Sequence, residues 1–237
     1  MRIALLISGN GTTAEQIILA THSERLRNVE PALVIATRAD APGIERAVRA
    51  GIPSKDVIVI APSGFLDEQS FGNTIIAACE ERGVDFIGQY GWMAKTPANV
   101  IERFKDMMVN QHPGPLDPGK PDFGGIGMYG RRVHAARLWF VRKTNRDFWT
   151  ETTAQRVGIQ FDEGAVVKRK KLDILPSDDP ITLQERLLPL EYEVQIEALE
   201  DFARGTAKEI VRVEPLIRSG EESILEECKK EAIKLYP

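Results

Sequence analysis

Cysteine and histidine are scarce in this chain. Only two cysteines, Cys79 and Cys228, and three histidines occur among the 237 residues. The cysteines are far apart and have no metal-ligand spacing, so the sequence predicts neither a disulfide framework nor a bound metal. So little cysteine is typical of proteins from a reducing compartment, and we expect the cytoplasm.

Long apolar runs and a surplus of positive charge are also missing. No apolar stretch reaches the roughly 20 residues that a membrane-spanning helix needs. The N-terminal MRIALLISGNG has no signal-peptide cleavage site. The net charge of -4 gives no sign of a nucleic-acid partner. The sequence therefore predicts neither membrane nor nucleic-acid binding, and it leaves open whether the protein forms a homodimer.

Apolar strand runs alternate with helical patterns in the first half of the chain. The predicted strands are Arg2–Ser8, Ala32–Ala36, Val57–Ile60, Val84–Gly88 and Met107–Val109. Helices are predicted after Thr13, over Gly43–Ala50 and over Asp67–Arg82. This alternation is typical of an α/β fold with a mostly parallel twisted sheet covered by helices on both faces. No linker is visible, so we predict a single domain over residues 1–237.

The second half begins with a break in this rhythm. Residues 113–130 hold four prolines and six glycines, which predicts a loop rather than a helix or strand. The elements predicted after it are a helix over Arg131–Phe140, strands over Thr152–Gln160 and Ala165–Ile174, a helix over Thr182–Arg204, a short strand over Glu209–Val213 and a final helix from Glu221.

Two places carry candidate functional residues. Asn110 and His112 leave the carboxyl end of a buried strand, where open α/β sheets place their ligands. Being two residues apart on an extended chain, they share one side of it. Gly11, Thr12 and Thr13 follow the first strand and open a helix, an arrangement that can bind an anion. The alternatives are that Asn110 caps a turn and that His112 is a surface loop residue. For the glycine-threonine stretch, the alternative is a tight strand-to-helix turn that needs glycine for its backbone angles.

His134 is a further candidate because it lies near Arg131 and Arg132 in a predicted helix. This basic group could face the phosphate or carboxylate of a substrate. The alternative is a helix face exposed to solvent.

Five stretches, in this order and spacing, resemble the folate-dependent formyltransferases. They are LLISGNGTT, TRADAPGIERAVRAGIP, YGWMAKTP, VNQHPGPL and FDEGAVV. The resemblance implies a Rossmann-like enzyme whose co-substrate is 10-formyltetrahydrofolate, with no metal. It implies transfer of a formyl group to the primary amine of glycinamide ribonucleotide in purine biosynthesis. The alternative acceptor is another phosphorylated amine, such as an amino-sugar nucleotide.

The resemblance also assigns roles to particular residues. The family's catalytic Asn-x-His falls on Asn110 and His112, and its catalytic aspartate falls on Asp162. Its phosphate loop falls on the glycine-threonine turn already described. Folate binding falls on Trp92, Met93, Ala94, Lys95, Gly158, Ile159, Gln160 and Phe161. A substrate-binding glutamate of the late helix falls on Glu191 once a small insertion is allowed.

Within the predicted domain, the resemblance implies three parts. Residues 1–113 form a nucleotide- or phosphate-binding half, residues 114–205 a folate and catalytic-aspartate half, and residues 206–237 a C-terminal extension. The sequence departs from the family at Thr13, usually asparagine, and at Gly114, usually serine. A basic residue of the folate loop is displaced to Lys95, and the segment between His112 and Thr152 is longer than usual.

Other functions compete with this reading. A methionyl-tRNA formyltransferase would carry a C-terminal barrel domain and a basic surface, and a formyl-folate hydrolase would carry an N-terminal regulatory domain. A non-catalytic folate- or nucleotide-binding module would have no need of Asn110, His112 and Asp162 together.

Overall fold

The protein contains a seven-stranded sheet, seen in a computed structural model that describes residues 1–236. The strands are β1 (Arg2–Ile7), β2 (Glu30–Ala36), β3 (Val57–Val59), β4 (Phe86–Gln89), β5 (Met108–His112), β6 (Trp149–Arg156) and β7 (Val166–Asp173). Their order in the sheet is β3-β2-β1-β4-β5-β6-β7. The pairs from β3 through β5 are parallel, and β6 pairs with β7 in the antiparallel sense. The predicted mostly parallel α/β fold is confirmed.

Seven α-helices connect or follow these strands in the described residues. They are α1 (Thr12–His22), α2 (Pro42–Arg49), α3 (Glu68–Glu81), α4 (Ala98–Arg103), α5 (Arg131–Thr144), α6 (Pro180–Ala203) and α7 (Glu222–Leu235). Short 3-10 turns occur at Ser54–Asp56 and Pro62–Gly64. Residues 113–130 form no helix or strand, as predicted, and we call them the glycine-proline loop. None of the helices in residues 1–236 is long and apolar enough to cross a membrane.

The chain forms two compact units. The first contains residues 1–110 and 195–207, and the second contains residues 111–194 and the chain from Lys208 onward. In the first unit, Ile3 to Ile7 of β1 are fully buried, as expected for a parallel strand covered on both faces. Ile17 and Ile18 of α1 are fully buried, which confirms the predicted apolar face of that helix.

The second unit has a core of its own. Its members include Phe123, Phe140, Leu138 and Leu183, and α7 adds the buried Leu225, Cys228 and Ala232. The rings of Phe123 and Phe140 meet edge to face with centroids 5.5 Å apart. The final helix is therefore an integral part of this unit.

Two predicted strands in this unit differ from the structure. β6 begins at Trp149 and ends at Arg156, earlier than predicted. The segment predicted as a strand over Glu209–Val213 is irregular, with one backbone bond from Ile210 N to the Val166 carbonyl at 2.7 Å. Its Arg212 turns inward to pair with the fully buried Glu151 of β6, while Val211 and Val213 are exposed. A long-range ion pair thus replaces the expected strand pairing.

Candidate active site

His112 and Asp162 lie together in the second unit. His112 is the last residue of β5 and is 2% exposed. Its Nδ1 lies 3.5 Å from Asp162 Oδ2, and its Nε2 lies 3.2 Å from the Phe123 carbonyl oxygen. Carboxylate and carbonyl oxygens are both acceptors, so a doubly protonated ring could donate on both sides. Asn110 lies on the same strand, two residues before His112, as the sequence predicts.

Asp162 is held by hydrogen bonds to both of its oxygens. The Gly125 backbone N–H donates to Oδ2 at 3.0 Å, and the Gln155 amide donates to Oδ1 at 2.7 Å. Asp162 also has a φ of 60°, in the left-handed region that non-glycine residues seldom occupy. Such backbone strain persists where surrounding contacts determine the conformation, and it concentrates at functional positions.

The glycine-proline loop contacts this pair closely. A Cβ on Gly124 would lie 2.7 Å from Asp162 Cβ, so only glycine lets the loop come this near. A Cβ on Gly114 would lie 2.2 Å from Val133 Cγ1. The second contact gives a physical reason for glycine at position 114.

The predicted phosphate loop lies in the first unit at the start of α1. Gly11 caps the helix with a φ of 66° and, having no side chain, makes no side-chain bond to the free N–H groups of the first turn. A Cβ on Gly11 would meet the Gly43 backbone at 2.7 Å, so this turn requires glycine. Thr13 is buried, which leaves the backbone N–H groups and the half-buried Thr12 as the groups nearest solvent. Free N–H groups at a helix N-terminus can bind an anion.

The two predicted folate loops each expose apolar side chains. In the first unit, Met93 is 47% exposed, whereas Trp92 is buried and stacks on Phe71 with ring centroids 6.3 Å apart. In the second unit, Ile159 and Phe161 are 65% and 43% exposed. Exposed apolar groups on a loop are suited to cover a planar ring. Lys95 instead pairs with Glu68 at 3.2 Å.

Glu191 of α6 is buried and pairs with Gln111, a residue that the sequence did not single out. Gln111 lies between Asn110 and His112, and its side-chain N–H donates to the Glu191 carboxyl group. Burial raises the pKa of Glu191 to about 7, and the bond from Gln111 opposes this shift. The Gln111 carbonyl oxygen has no hydrogen-bond partner among the described residues. A protonated Glu191 could donate to it, and this would complete a two-way amide–acid pair.

The buried Glu191 gives a prediction for stability against pH. Its pKa is raised from 4.5 to about 7, so between these values the folded protein keeps a proton that the unfolded chain has lost. Stability from this group is therefore present at pH 4.5 and is lost as the pH rises to 7. We expect wild type to lose about 3 kcal/mol more than Glu191→Gln between pH 4.5 and pH 8, measured by urea unfolding.

The control for this measurement is Glu185→Gln, which changes an exposed glutamate of the same helix. That variant should keep the wild-type pH dependence. Parallel pH profiles for wild type and Glu191→Gln would show that Glu191 is ionised in the folded protein at pH 5.

His134 is buried, so it neither joins Arg131 and Arg132 in a basic group that faces a substrate nor lies on a solvent-exposed helix face. Both predictions from the sequence are wrong at this residue. It is 1% exposed in α5, and both ring nitrogens lack a hydrogen-bond partner among the described residues. Burial lowers the pKa of His134 to about 3, and the charges of His112 and Arg131 lower it further. This part of α5 packs in the apolar core of the second unit. His134 is therefore a neutral core residue near His112.

Comparison with known proteins is consistent with these observations. The family model described as "Formyl transferase" matches residues 1–199. The phosphoribosylglycinamide formyltransferase of Haemophilus influenzae is 30% identical over 204 residues, which cover 86% of this chain and 88% of the relative.

Two solved structures are similar over the same share of the chain. Glycinamide ribonucleotide transformylase 1 from Symbiobacterium toebii superposes with a TM-score of 0.75 at 28% identity, covering 86% of this chain and 88% of that one. The phosphoribosylglycinamide formyltransferase from Coxiella burnetii, in complex with CHES, has a TM-score of 0.73 at 29% identity and the same coverage.

Proposed function

The chain belongs to the formyl transferase family, and on that premise we propose that it transfers a formyl group from 10-formyltetrahydrofolate to the primary amine of glycinamide ribonucleotide. This is a step of purine biosynthesis, and we place it in the cytoplasm. The observation that carries the proposal is the His112–Asp162 pair, with 3.5 Å between Nδ1 and Oδ2. The names of the relatives given above describe this kind of transfer, and this supports the proposal. Homodimer formation, which the sequence left open, stays open.

The chemistry needs hydrogen-bond donors and a route for protons. Attack of an amine on a formyl carbon builds negative charge on the formyl oxygen, and a preorganised donor to that oxygen stabilises the transition state by roughly 3 kcal/mol. We assign the amide of Asn110 and the Nε2–H of His112 as these donors. The Nε2–H lies 3.2 Å from the Phe123 carbonyl oxygen and would be shared between that oxygen and the formyl oxygen, while Nδ1 faces Asp162. The bond between the formyl carbon and the folate nitrogen then breaks, so the amine must lose a proton and the leaving folate nitrogen must gain one. We assign Asp162 as the group that accepts or relays this proton, which is worth about 10² to 10⁴ in rate.

The acceptor's phosphate would bind at the start of α1. Gly11, Thr12 and Thr13 offer backbone N–H groups there, and the positive end of the helix favours an anion. Because these groups belong to the backbone, the replacement of the family's usual asparagine by Thr13 leaves this site intact.

Folate would bind against the exposed apolar groups of two loops. We assign Trp92, Met93, Ala94 and Lys95 to one loop, and Gly158, Ile159, Gln160 and Phe161 to the other. Each loop exposes apolar side chains that can cover a planar ring: Met93 in the first loop, and Ile159 and Phe161 in the second. Glu191, with its raised pKa, is assigned to the amine substrate.

A formyl-transfer assay with matched acceptors tests this function. Purified protein and 10-formyltetrahydrofolate are incubated with glycinamide ribonucleotide, its dephosphorylated form, an amino-sugar nucleotide or no acceptor. We follow folate deformylation by absorbance and the formylated product by mass spectrometry. Glycinamide ribonucleotide should support turnover, and loss of its phosphate should raise KM by about 100-fold, as expected when a charge-assisted contact worth roughly 1.5–3 kcal/mol is lost.

Two results would refute the proposed substrate. One is faster transfer to the amino-sugar nucleotide than to glycinamide ribonucleotide. The other is deformylation that proceeds equally well without an acceptor, which would mean that water accepts the formyl group.

A further inference from the structure

The glycine-proline loop supplies a hydrogen-bond partner to each member of the His112–Asp162 pair. The Phe123 carbonyl oxygen lies 3.2 Å from His112 Nε2, and the Gly125 N–H lies 3.0 Å from Asp162 Oδ2. Residues 123–125 therefore set the orientation of both side chains. Any group that fixes this short stretch of backbone also fixes the pair.

Lys229 holds that stretch from outside the loop. Its Nζ donates to the Asp122 carbonyl at 3.1 Å and to the Gly124 carbonyl at 2.8 Å. These two carbonyls flank Phe123 in the chain. An ammonium group can donate three hydrogen bonds, and charged donors form stronger bonds than neutral ones. The ammonium thus bridges the two peptide groups on either side of the one that contacts His112.

The loop also contains its own bonds and a second external anchor. The Asp122 carboxylate accepts hydrogen bonds from Asp117 N and Gly124 N, each at 2.8 Å. Arg212 Nε donates to the Leu116 carbonyl at 2.8 Å. Arg212 thus fixes the start of the loop, and the Asp122 carboxylate ties that start to Gly124. Lys229 is the anchor outside the loop that acts on the carbonyls nearest the pair.

The helix that carries Lys229 is firmly packed. In α7, Leu225, Cys228 and Ala232 are at most 1% exposed and belong to the same apolar core as Phe123. Lys229 itself is half-buried, whereas the next residue, Lys230, is exposed. The whole helix lies beyond residues 1–199, the region that the family model matches. The anchor is therefore an addition of this chain to the matched region.

We propose that Lys229 is a positioning residue for formyl transfer, acting through the loop backbone on His112 and Asp162. The proposal rests on the proposed function. It gives a role to the C-terminal helix and to the long glycine-proline loop: the helix holds the loop, and the loop holds the pair. Lys229 need not touch either substrate.

The test compares Lys229→Met with Lys230→Met, an exposed lysine of the same helix, and with the conservative Lys229→Arg. Lys229→Met should lower kcat by about 10- to 100-fold, because small displacements of catalytic groups have effects of this size. KM for both substrates should change little, since the affected groups orient the reacting atoms. Lys230→Met should match wild type, and Lys229→Arg, which keeps a charged donor, should recover part of kcat.

Hydrogen–deuterium exchange provides a readout that does not depend on activity. In Lys229→Met, exchange should rise in peptides covering residues 117–128 and stay at the wild-type level in α5. A role in overall stability alone would instead raise exchange in both places. Lys229→Gln, which keeps a neutral donor, is measured alongside in case the methionine variant does not fold, and it should show the same local pattern with a smaller change in kcat.

The outcomes separate this proposal from the proposed function. If wild type transfers formyl groups and the Lys229 variants match it in kcat, Lys229 has no positioning role. Unchanged loop exchange in those variants would lead to the same conclusion. If wild type transfers no formyl group to any acceptor, the proposed function fails first and the positioning role falls with it.

Discussion

Replacing His112 with alanine is expected to lower kcat for formyl transfer by about 10³-fold or more while the protein still binds folate. The substitution removes a donor to the developing negative charge, worth about 10² to 10³ in rate, and it also removes the partner of Asp162. Because the imidazole acts on the reacting atoms, most of the loss should fall on kcat and little on KM. Steady-state kinetics measure the first effect, and calorimetric titration with a folate analogue measures the second.

The matched control is His22→Ala, which changes an exposed histidine at the end of α1. It should leave kcat and KM at wild-type values. Thermal unfolding of both variants checks that each is folded. Transfer by His112→Ala at more than about a tenth of the wild-type rate would mean that the imidazole is not the principal donor.

The parallel strands of the sheet could be predicted from local sequence because of how they are buried. A strand buried on both faces must be apolar along its whole length, so RIALLIS and ALVIA stand out as continuous runs between glycine-rich turns. Gly83 and Gly205, which close the predicted helices over Asp67–Arg82 and Thr182–Arg204, have φ values of 61° and 68°, and glycine enters that conformation easily. Each signal lies within the element that it predicts.

β6 could not be placed in the same way, because its burial depends on distant partners. Thr150, Glu151, Thr152 and Thr153 are fully buried, although polar residues in a row indicate an exposed segment. Glu151 is neutralised by Arg212, which lies 61 residues later in the chain. No local pattern shows such a pair, and the same pair explains why residues 209–213 do not form a strand.

The same distinction applies to the candidate site. Asn110 and His112 lie at the carboxyl end of β5, so strand periodicity alone places them. Asp162 lies fifty residues after His112, and only the resemblance to a family brought the two together before the structure did. Gln111 and Lys229 went unnoticed because their importance lies in what they contact: a buried carboxyl group and two loop carbonyls. Long-range contacts of this kind are the part of a site that sequence patterns do not contain.

Asp162→Asn is expected to lower kcat by about 10² to 10⁴, the range typical of a lost proton-transfer group. Asparagine keeps the size of the side chain and tolerates the left-handed φ of 60°, so the turn should survive. What it loses is the negative charge beside His112 Nδ1, the ability to accept a proton, and one of the two oxygens that accept hydrogen bonds from Gly125 and Gln155. Alanine at this position would also strain the backbone. Asparagine is therefore the better substitution for telling a loss of catalysis apart from a loss of stability.

Asp106→Asn is the matched control, because Asp106 is exposed, precedes β5 and has a φ of 63°. Asp106→Asn should unfold within about 1 kcal/mol of wild type, as exposed substitutions usually do. Asp162→Asn keeps one acceptor oxygen for two donors, so it should lose about 1–3 kcal/mol of stability and still fold. Only Asp162→Asn should lose transfer activity. If Asp162→Asn transfers formyl groups at the wild-type rate, the carboxylate neither relays the proton nor supports His112, and another base must take the proton from the amine.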